Sequence, residues 1–217
     1  MTSNPPTART RLRRLHERGR HDSDSIHAVL DAGLLCHIGY VVDGGPVVTP
    51  TLHWREGERV YWHGSAASRM VRHLAEGHPL CLTVSHFDGM VMARSAFHHS
   101  VNYRSAMLFG TARAITDPEA KTRHLKAFME RWFPGRWDEL RSIHAQELKA
   151  TTVLSMAIDE ASAKMRAGPP KDDEEDYALP IWAGVLPLNT VVGEPEPCPR
   201  LAEGVAAPAY LRAFAPK

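Results

Sequence analysis

One short segment of the sequence combines small residues, hydroxyls and an arginine in an order that suits an anion. An extended run ends at His63 and is followed by Gly64-Ser65-Ala66-Ala67-Ser68-Arg69, after which a helical pattern begins. The start of a helix carries unpaired N–H groups and a partial positive charge, so it attracts phosphate. Ser65 and Ser68 add hydroxyls, and Arg69 adds a guanidinium suited to phosphate oxygens. An ordinary serine-capped helix with a surface arginine would have the same spacing.

A second candidate is the extended segment Val48-Thr49-Pro50-Thr51-Leu52-His53. Alternation places Thr49, Thr51 and His53 on one face of a strand. Pro50 has no N–H to donate to a neighbouring strand, so the segment must lie at a sheet edge or leave carbonyl groups free for a ligand. A ligand-facing strand and a barrel strand with an exposed polar face are both open at this point.

A third segment, from Ala96 to Ser105, is polar and aromatic and carries adjacent histidines. His98 and His99 would point to opposite sides of an extended chain, which does not suit shared binding of one metal ion. The chain has 13 histidines but no HExxH motif and no Cys/His cluster, so we expect no metal site. P-loop, GxGxxG and nucleophile-elbow motifs are also absent, which leaves hydrolase and nucleotide-kinase functions without support.

The elements that would position these segments are mostly short strands with a few inserted helices. Strands are predicted over 34–42, 47–54, 59–63, 80–87, 90–96, 103–115 and 151–158, with a last apolar segment at 181–188. Helices are predicted over 22–33, 66–76, 118–133 and 137–148. This order predicts a mainly β fold, an antiparallel barrel of six or seven strands with peripheral helices. The polar run 168–176 is predicted to be a solvated loop.

Composition sets the class of protein and its divisions. A length of 217 residues with a net charge of +1 predicts one globular domain that is not a general nucleic-acid binder. No apolar run is long enough for a membrane span or a signal peptide, so we expect a cytoplasmic protein. We divide the chain into a basic N-terminal arm (1–22), a barrel domain (23–190) and a Pro-rich C-terminal tail (191–217). The arginines of the arm indicate either a loose, solvated terminus or an arm that docks on a partner subunit.

From residue 26 to 188 the sequence resembles the pyridoxamine 5′-phosphate oxidase-like, FMN-binding split-barrel superfamily. The order is a helix, a hairpin, HGSAASR, further strands, NYRSAMLFGTA, helices and a terminal WAGVLPL. The opening DAGLLCHIG and the later DDEEDYALPIWAG are most similar to the flavin-nucleotide-binding branch that includes nitroimidazole-resistance proteins. The resemblance implies a six- to seven-stranded antiparallel split barrel that binds FMN.

The resemblance also implies which residues contact FMN. Ser68 and Arg69 match the phosphate-binding pair of the oxidase, whereas its following lysine is replaced by Met70. The oxidase strand that lies along the flavin ring corresponds to 48–53, its Tyr-Thr pair to His63 and Gly64, and its flavin-contacting glutamine to Ser105. The implied cofactor-binding set is Val48, Thr49, Pro50, Thr51, His53, His63, Gly64, Ser65, Ser68, Arg69, Tyr103, Ser105 and Trp182.

In such proteins FMN lies between two subunits, which implies a homodimer in which Trp182 closes the cleft from the partner chain. The Arg-x-His signature for pyridoxal phosphate is absent, so pyridoxamine oxidation is not expected. The leading hypothesis is a flavoprotein that transfers electrons or hydride to a small molecule, in which His53 or His63 tunes the flavin or donates a proton. The alternatives are a flavin carrier or sensor without turnover, and a haem-binding split barrel, which the richness in histidine permits.

Overall fold

A computed structural model of the protein describes residues 5–214. The strands are β1 (Gly19–Arg20), β2 (Leu35–Val42), β3 (Gly45–Glu56), β4 (Arg59–Ser65), β5 (Pro79–Met92), β6 (Ser100–Thr111), β7 (Arg113–Ala114), β8 (Thr151–Ala157), β9 (Glu160–Arg166) and β10 (Gly184–Pro187). The α-helices are α1 (Ser23–Ala32), α2 (Arg69–Ala75), α3 (Pro118–Trp132), α4 (Arg136–Glu139), α5 (Ala145–Ala150) and α6 (Tyr210–Ala213). Short 3₁₀ helices span His16–Arg18, Ala96–His98 and Glu174–Ala178.

All strands join one antiparallel sheet in the order β1-β9-β6-β5-β2-β3-β4-β8-β7, and β10 adds to β5. Two stretches bend from one half of the sheet into the other. β3 pairs with β2 over its first part and with β4 over its last four residues. The stretch from β6 through Ala112 to β7 pairs first with β5 and β9 and then with β8. The sheet therefore curls into the predicted split barrel. The strands predicted over 80–87 and 90–96 form the single strand β5, and β9 was not predicted.

The core fills the barrel and extends under α1. The inward residues of the strands include Trp62, Leu82, Leu108 and Leu154, each with no exposed surface. Helix α1 begins where the Asp22 carboxylate accepts a hydrogen bond from the Ser25 amide, 2.8 Å away. Its predicted apolar face, which consists of Ile26, Val29 and Leu30, is buried in the same core.

One sequence prediction about a helix was wrong, and one about a loop was incomplete. The single helix predicted over 137–148 is interrupted, because Glu147 accepts a hydrogen bond from the His144 amide and starts a new helix there. The run 168–176 is not simply solvated, because the side chain of Asp172 is fully buried against Arg94. A polar loop can be buried locally when each carboxylate it buries is paired.

Both terminal segments lie on the body of their own chain where the structure describes them. In the arm, Thr10 is 2% exposed, and the Thr7 hydroxyl and the Arg9 guanidinium both bond the Glu160 carboxylate at the start of β9. In the tail, the Tyr210 hydroxyl bonds Glu139 of α4 at 2.5 Å. Residues 1–4 of the predicted arm and 215–217 of the predicted tail lie outside the described residues. Within the described part of the chain, no helix is long and apolar enough to cross a membrane.

Candidate functional site

The predicted phosphate turn is held rigidly at the end of β4. Residues 63–65 continue the pairing with β8, and the Ala66 amide donates to the Ala150 carbonyl at 2.8 Å. The Ser68 amide then donates to the Ser65 carbonyl at 2.9 Å, which closes the turn before α2 begins. Gly64 is required for packing, because a Cβ atom there would lie 2.9 Å from Cγ2 of Val71. The backbone of the turn is therefore fixed before any ligand binds.

The side chains of this turn leave a cation without a partner. Arg69 is exposed, and no carboxylate in residues 5–214 pairs with it. The Ser68 side chain makes no capping bond to α2. Arg72, one helical turn further, is likewise exposed and makes no ion pair with another described residue. Met70 is 5% exposed and packs in the core, so the position where the oxidase has lysine contributes packing here.

Strand β3 supplies a free edge next to this turn. Residues 45–52 pair with β2 on one side only, and pairing with β4 begins at His53, opposite Trp62. Beyond that point β3 and β4 diverge, and the turn at 64–69 follows on the β4 side. Pro50 therefore lies at a sheet edge, which is one of the two positions predicted for it. Where the two strands separate, backbone groups of residues 45–52 face the gap without a strand partner.

The faces of β3 are also defined by the structure. Val48 is 65% exposed and Leu52 42% exposed, and both lie on the outer face of the sheet with Pro50. Thr49 and Thr51 are half-buried on the opposite face, and the Thr49 and Tyr40 hydroxyl oxygens lie 3.1 Å apart.

His53 does not fit the ligand-contacting role that the resemblance implied. The side chain has no exposed surface, and its Nδ1 and Nε2 atoms each lie 3.1 Å from a carbonyl oxygen, of Leu34 and Leu30 respectively. Burial lowers the pKa of His53 to about 4, despite these two bonds. His53 connects β3 to the end of α1 and is not one of the proposed flavin contacts.

His63 is half-buried beneath α3, 5.4 Å from the Phe128 ring between centroids. Its Nδ1 is buried and has no hydrogen-bond partner among the described residues, and burial lowers the pKa of the side chain. His63 lies where β4 diverges from β3 and therefore borders the gap between the two strands.

Tyr103 and Ser105 lie on β6, on the same outer face as Val48 and Leu52. Tyr103 is opposite Phe87, and Ser105 is opposite Ser85 on one side and Lys164 on the other. The register row Pro50, His37, Thr83 and Met107 crosses β3, β2, β5 and β6, so the two predicted contact regions are separated by about 14 Å of sheet. Trp182 is 69% exposed on the segment before β10.

The outer face also carries exposed apolar residues, of which only Val48 belongs to the predicted cofactor-binding set. They are Leu35, Val41, Val48, Leu52, Phe87 and Met107, each between 42% and 65% exposed. Exposed apolar side chains that share one face of a sheet form a candidate interaction surface. Alternation along the strands separates two faces of the sheet in the sequence. It does not indicate which face is covered and which is exposed.

Three potential ligands cluster at the C-terminal end of α2. Ring nitrogen and carboxylate atoms of His73, Glu76 and His78 lie within 4.8 Å of one another. The His73 and His78 rings stack with centroids 3.9 Å apart, and the buried Nε2 of His73 has no hydrogen-bond partner among the described residues. The His73 ring also contacts that of Tyr40, whose hydroxyl is bonded to β3.

A curled antiparallel sheet that opens between two strands, with a hydrogen-bonded turn beside the opening, is the architecture of a split β-barrel. The sequence matches the family model described as pyridoxamine 5′-phosphate oxidase over residues 22–165. The chain belongs to the pyridoxamine 5′-phosphate oxidase-like family of flavin-binding split barrels.

Comparison with solved structures adds close relatives. The chain is 48% identical to the flavocytochrome Anf3 from Azotobacter vinelandii, with 96% of this chain and 97% of that one covered and a TM-score of 0.92. It is 40% identical to an FAD and haem binding protein from Mycobacterium smegmatis, with coverages of 92% and 98% and a TM-score of 0.87. A proposed 5-nitroimidazole antibiotic resistance protein from Bacteroides thetaiotaomicron shares the fold at 21% identity, with coverages of 67% and 85% and a TM-score of 0.57. No curated protein matched the sequence.

Proposed function

We propose that the chain binds a flavin nucleotide in the gap between β3 and β4, with its phosphate at residues 64–69 and its ring along the edge of β3. The observation that carries this proposal is the unpaired, exposed Arg69 on a rigid turn, opposite a strand edge with free backbone groups. Ser65 and Ser68 supply hydroxyls to the phosphate, and the backbone of residues 48–51 faces the ring. A flavin supplies hydride or electron transfer, and the protein supplies binding, orientation and charge.

The two flavin nucleotides differ in the number of phosphates that must be neutralised. FMN is the cofactor predicted from the sequence, whereas the relative at 40% identity is named as an FAD and haem binding protein. Arg69 and Arg72 lie three residues apart on α2 and are both exposed, which suits a diphosphate. We therefore favour FAD. Mass spectrometry of the released cofactor distinguishes it from FMN.

We further propose an oxidoreductase that acts on a small molecule as a homodimer, with the outer sheet face as the contact between subunits. The exposed apolar residues on that face support such a contact, and Tyr103, Ser105 and Trp182 would lie at or near it. A flavin carrier or sensor without turnover has the same binding site. Stopped-flow reduction of the flavin by NADH, NADPH or dithionite, followed by reoxidation with candidate acceptors, separates the two.

Arg69→Ala is the direct test of the phosphate site. Loss of a charge-assisted contact is expected to weaken flavin binding by about 2 kcal/mol, or roughly 30-fold in Kd. Titration of the apoprotein with FAD and with FMN measures the change. Arg113→Ala removes an exposed arginine from β7 and should leave both affinities unaltered. An unchanged Kd in Arg69→Ala would exclude this arginine from the site.

Haem is a second candidate ligand, supported by His73. The buried Nε2 of His73 has no hydrogen-bond partner among the described residues, and such a nitrogen can bind haem iron. The relative at 48% identity is named as a flavocytochrome, and the relative at 40% identity is named as an FAD and haem binding protein. Haem would supply one-electron transfer beside the flavin. His73→Ala is expected to abolish a Soret band in the purified protein, whereas His99→Ala, at an exposed histidine, should retain it. A full Soret band in His73→Ala would assign the iron to another residue.

A further inference from the structure

A segment that follows β9 is anchored firmly to the barrel at both ends. We call residues 172–187 the strap. At one end, the Asp172 carboxylate accepts hydrogen bonds from the Arg94 amide at 2.8 Å and from Nη1 of Arg94 at 2.9 Å. At the other end, β10 pairs with residues 89–92 of β5. Arg94 also lies over the Tyr177 ring, 5.0 Å from its centroid. The strap therefore has a defined position rather than that of a loose loop.

This fixed strap presents apolar side chains to solvent. They are Tyr177, Leu179, Ile181, Trp182 and Leu186, each between 43% and 69% exposed. The strap adjoins the outer sheet face, because Leu186 is opposite Met90 of β5 and Met90 is itself exposed. Ordered, exposed aromatic and aliphatic groups of this kind indicate a surface that another molecule covers.

The strap is also acidic, and most of its charge is unpaired. Asp172 is satisfied by Arg94, and His98 lies 3.2 Å from Asp173. Glu174, Glu175 and Asp176 have no cationic partner among residues 5–214. A surface that combines apolar side chains with these carboxylates is complementary to a partner that brings positive charge.

The same chain carries the complementary charge on its arm, of which the structure describes residues 5–22. The ion pair of Arg9 with Glu160 fixes the arm along β9. Arg11, Arg13 and Arg14 are exposed and make no ion pair with any other described residue. The arm joins the sheet at β9, whereas the strap joins it at β5, and β6 lies between these strands. Within the described chain, no ion pair connects arm and strap.

We propose that the strap of one protomer docks on the arm of a second copy of the chain, and that a twofold axis repeats this contact. The inference rests on the homodimer proposed above and assigns its charged contact. Exposed ion pairs are individually weak and are screened by salt. The contact therefore sets the orientation of the partner and makes dimer affinity depend on ionic strength.

A charge-swap experiment on the full chain tests this contact. One variant carries Arg11→Glu, Arg13→Glu and Arg14→Glu, a second carries Glu174→Lys, Glu175→Lys and Asp176→Lys, and a third carries all six substitutions. Sedimentation velocity at low salt measures the dimer Kd of each. Each triple variant is expected to raise the dimer Kd by about tenfold or more. The variant with all six substitutions is expected to restore Kd to within about threefold of the wild-type value. The Kd of the wild type should rise as salt is added.

Controls separate this contact from the fold and from the proposed homodimer. Arg113→Glu, Lys149→Glu and Arg212→Glu together make the same charge change as the arm variant, at exposed sites elsewhere, and should leave Kd unaltered. Thermal unfolding of both triple variants checks that each is folded. Two results would show that the strap and the arm do not meet, although the homodimer stands. In one, both triple variants leave the dimer Kd unchanged; in the other, the variant with all six substitutions loses as much dimer affinity as the two triple variants together. A monomeric wild type that retains flavin would overturn both the homodimer and this contact.

Discussion

His53 shows how a residue selected for its chemistry can serve the fold instead. Both of its ring nitrogens face carbonyl oxygens, yet a neutral imidazole carries only one N–H and can donate to only one of them. Burial lowers its pKa from 6.5 to about 4, so the folded protein resists protonation over a range in which the unfolded chain accepts a proton. The folded state should therefore lose stability as the pH falls from about 6.5 to about 4.

The size of this effect follows from the difference in pKa and amounts to roughly 3 kcal/mol at most. His53→Gln removes the titrating group, so its free energy of unfolding should depend less steeply on pH in that window. Urea unfolding at intervals between pH 7 and pH 4 measures both slopes, and His99→Gln, at an exposed histidine, serves as the control. Parallel curves for wild type and His53→Gln would mean that His53 is protonated equally in the two states.

Residue types and alternation were enough to place some candidate residues and not others. Pro50 lacks an N–H, which any sheet must accommodate at an edge, and the structure has it there. Alternation correctly put Thr49, Thr51 and His53 on one face, but it does not indicate that helix α1 covers His53. That contact joins residues 23 positions apart, and such long-range packing leaves no local pattern in the sequence.

At the scale of elements, α1 is held by side chains from three directions. His53 on β3 and His86 on β5 bind carbonyl groups of its last turn, and Arg131 on α3 bonds the Asp31 carbonyl. The helix ends at Gly33, which is extended rather than left-handed, so these side chains replace the usual backbone cap. A Cβ atom at position 33 would lie 2.6 Å from Cε1 of His86, so any larger residue there must displace the His86 ring.

Gly33→Ala should therefore destabilise the protein by displacing His86 from the Val29 carbonyl, which lies 2.9 Å from its Nε2. We expect a loss of about 1–3 kcal/mol in chemical unfolding. The same substitution at Gly193, which has no neighbour within 4 Å, is the matched control. In a double-mutant cycle, Gly33→Ala should cost less when His86 is already alanine. Equal costs in both backgrounds would show that the two residues do not interact.

Element prediction succeeded where a segment follows a regular period and failed where a single side chain or a distant partner decides the structure. The apolar spacing of α1 and the alternation of the strands follow directly from helical and strand periodicity. The break between α4 and α5 depends on a single carboxylate, and the strap depends on a pair of residues 78 positions apart. Composition suggested solvent for residues 168–176, because composition does not reveal that the half-buried Arg94 pairs with Asp172.

For the whole molecule, the proposed cleft between subunits couples flavin affinity to assembly. The turn at 64–69 belongs to one chain, whereas Tyr103, Ser105 and Trp182 lie on surfaces that the proposed dimer brings to the cleft. A ligand that binds only the dimer stabilises it by mass action, and dissociation of the dimer must release the ligand. The apparent Kd for flavin should therefore rise as the protein is diluted below its dimer Kd.

Sedimentation velocity with detection at a flavin absorption band tests this coupling, because it reports mass and bound flavin together. The coloured species should be dimeric at every concentration, and monomer should sediment without colour. Arg69→Ala is the complementary control. It should reduce the flavin content while the chain still dimerises at high concentration. Its dimer Kd should rise only by the amount by which bound flavin stabilises the wild-type dimer. A monomer that retains flavin would place the whole site within one chain, and the free edge of β3 with its neighbouring turn would then have to hold the cofactor alone.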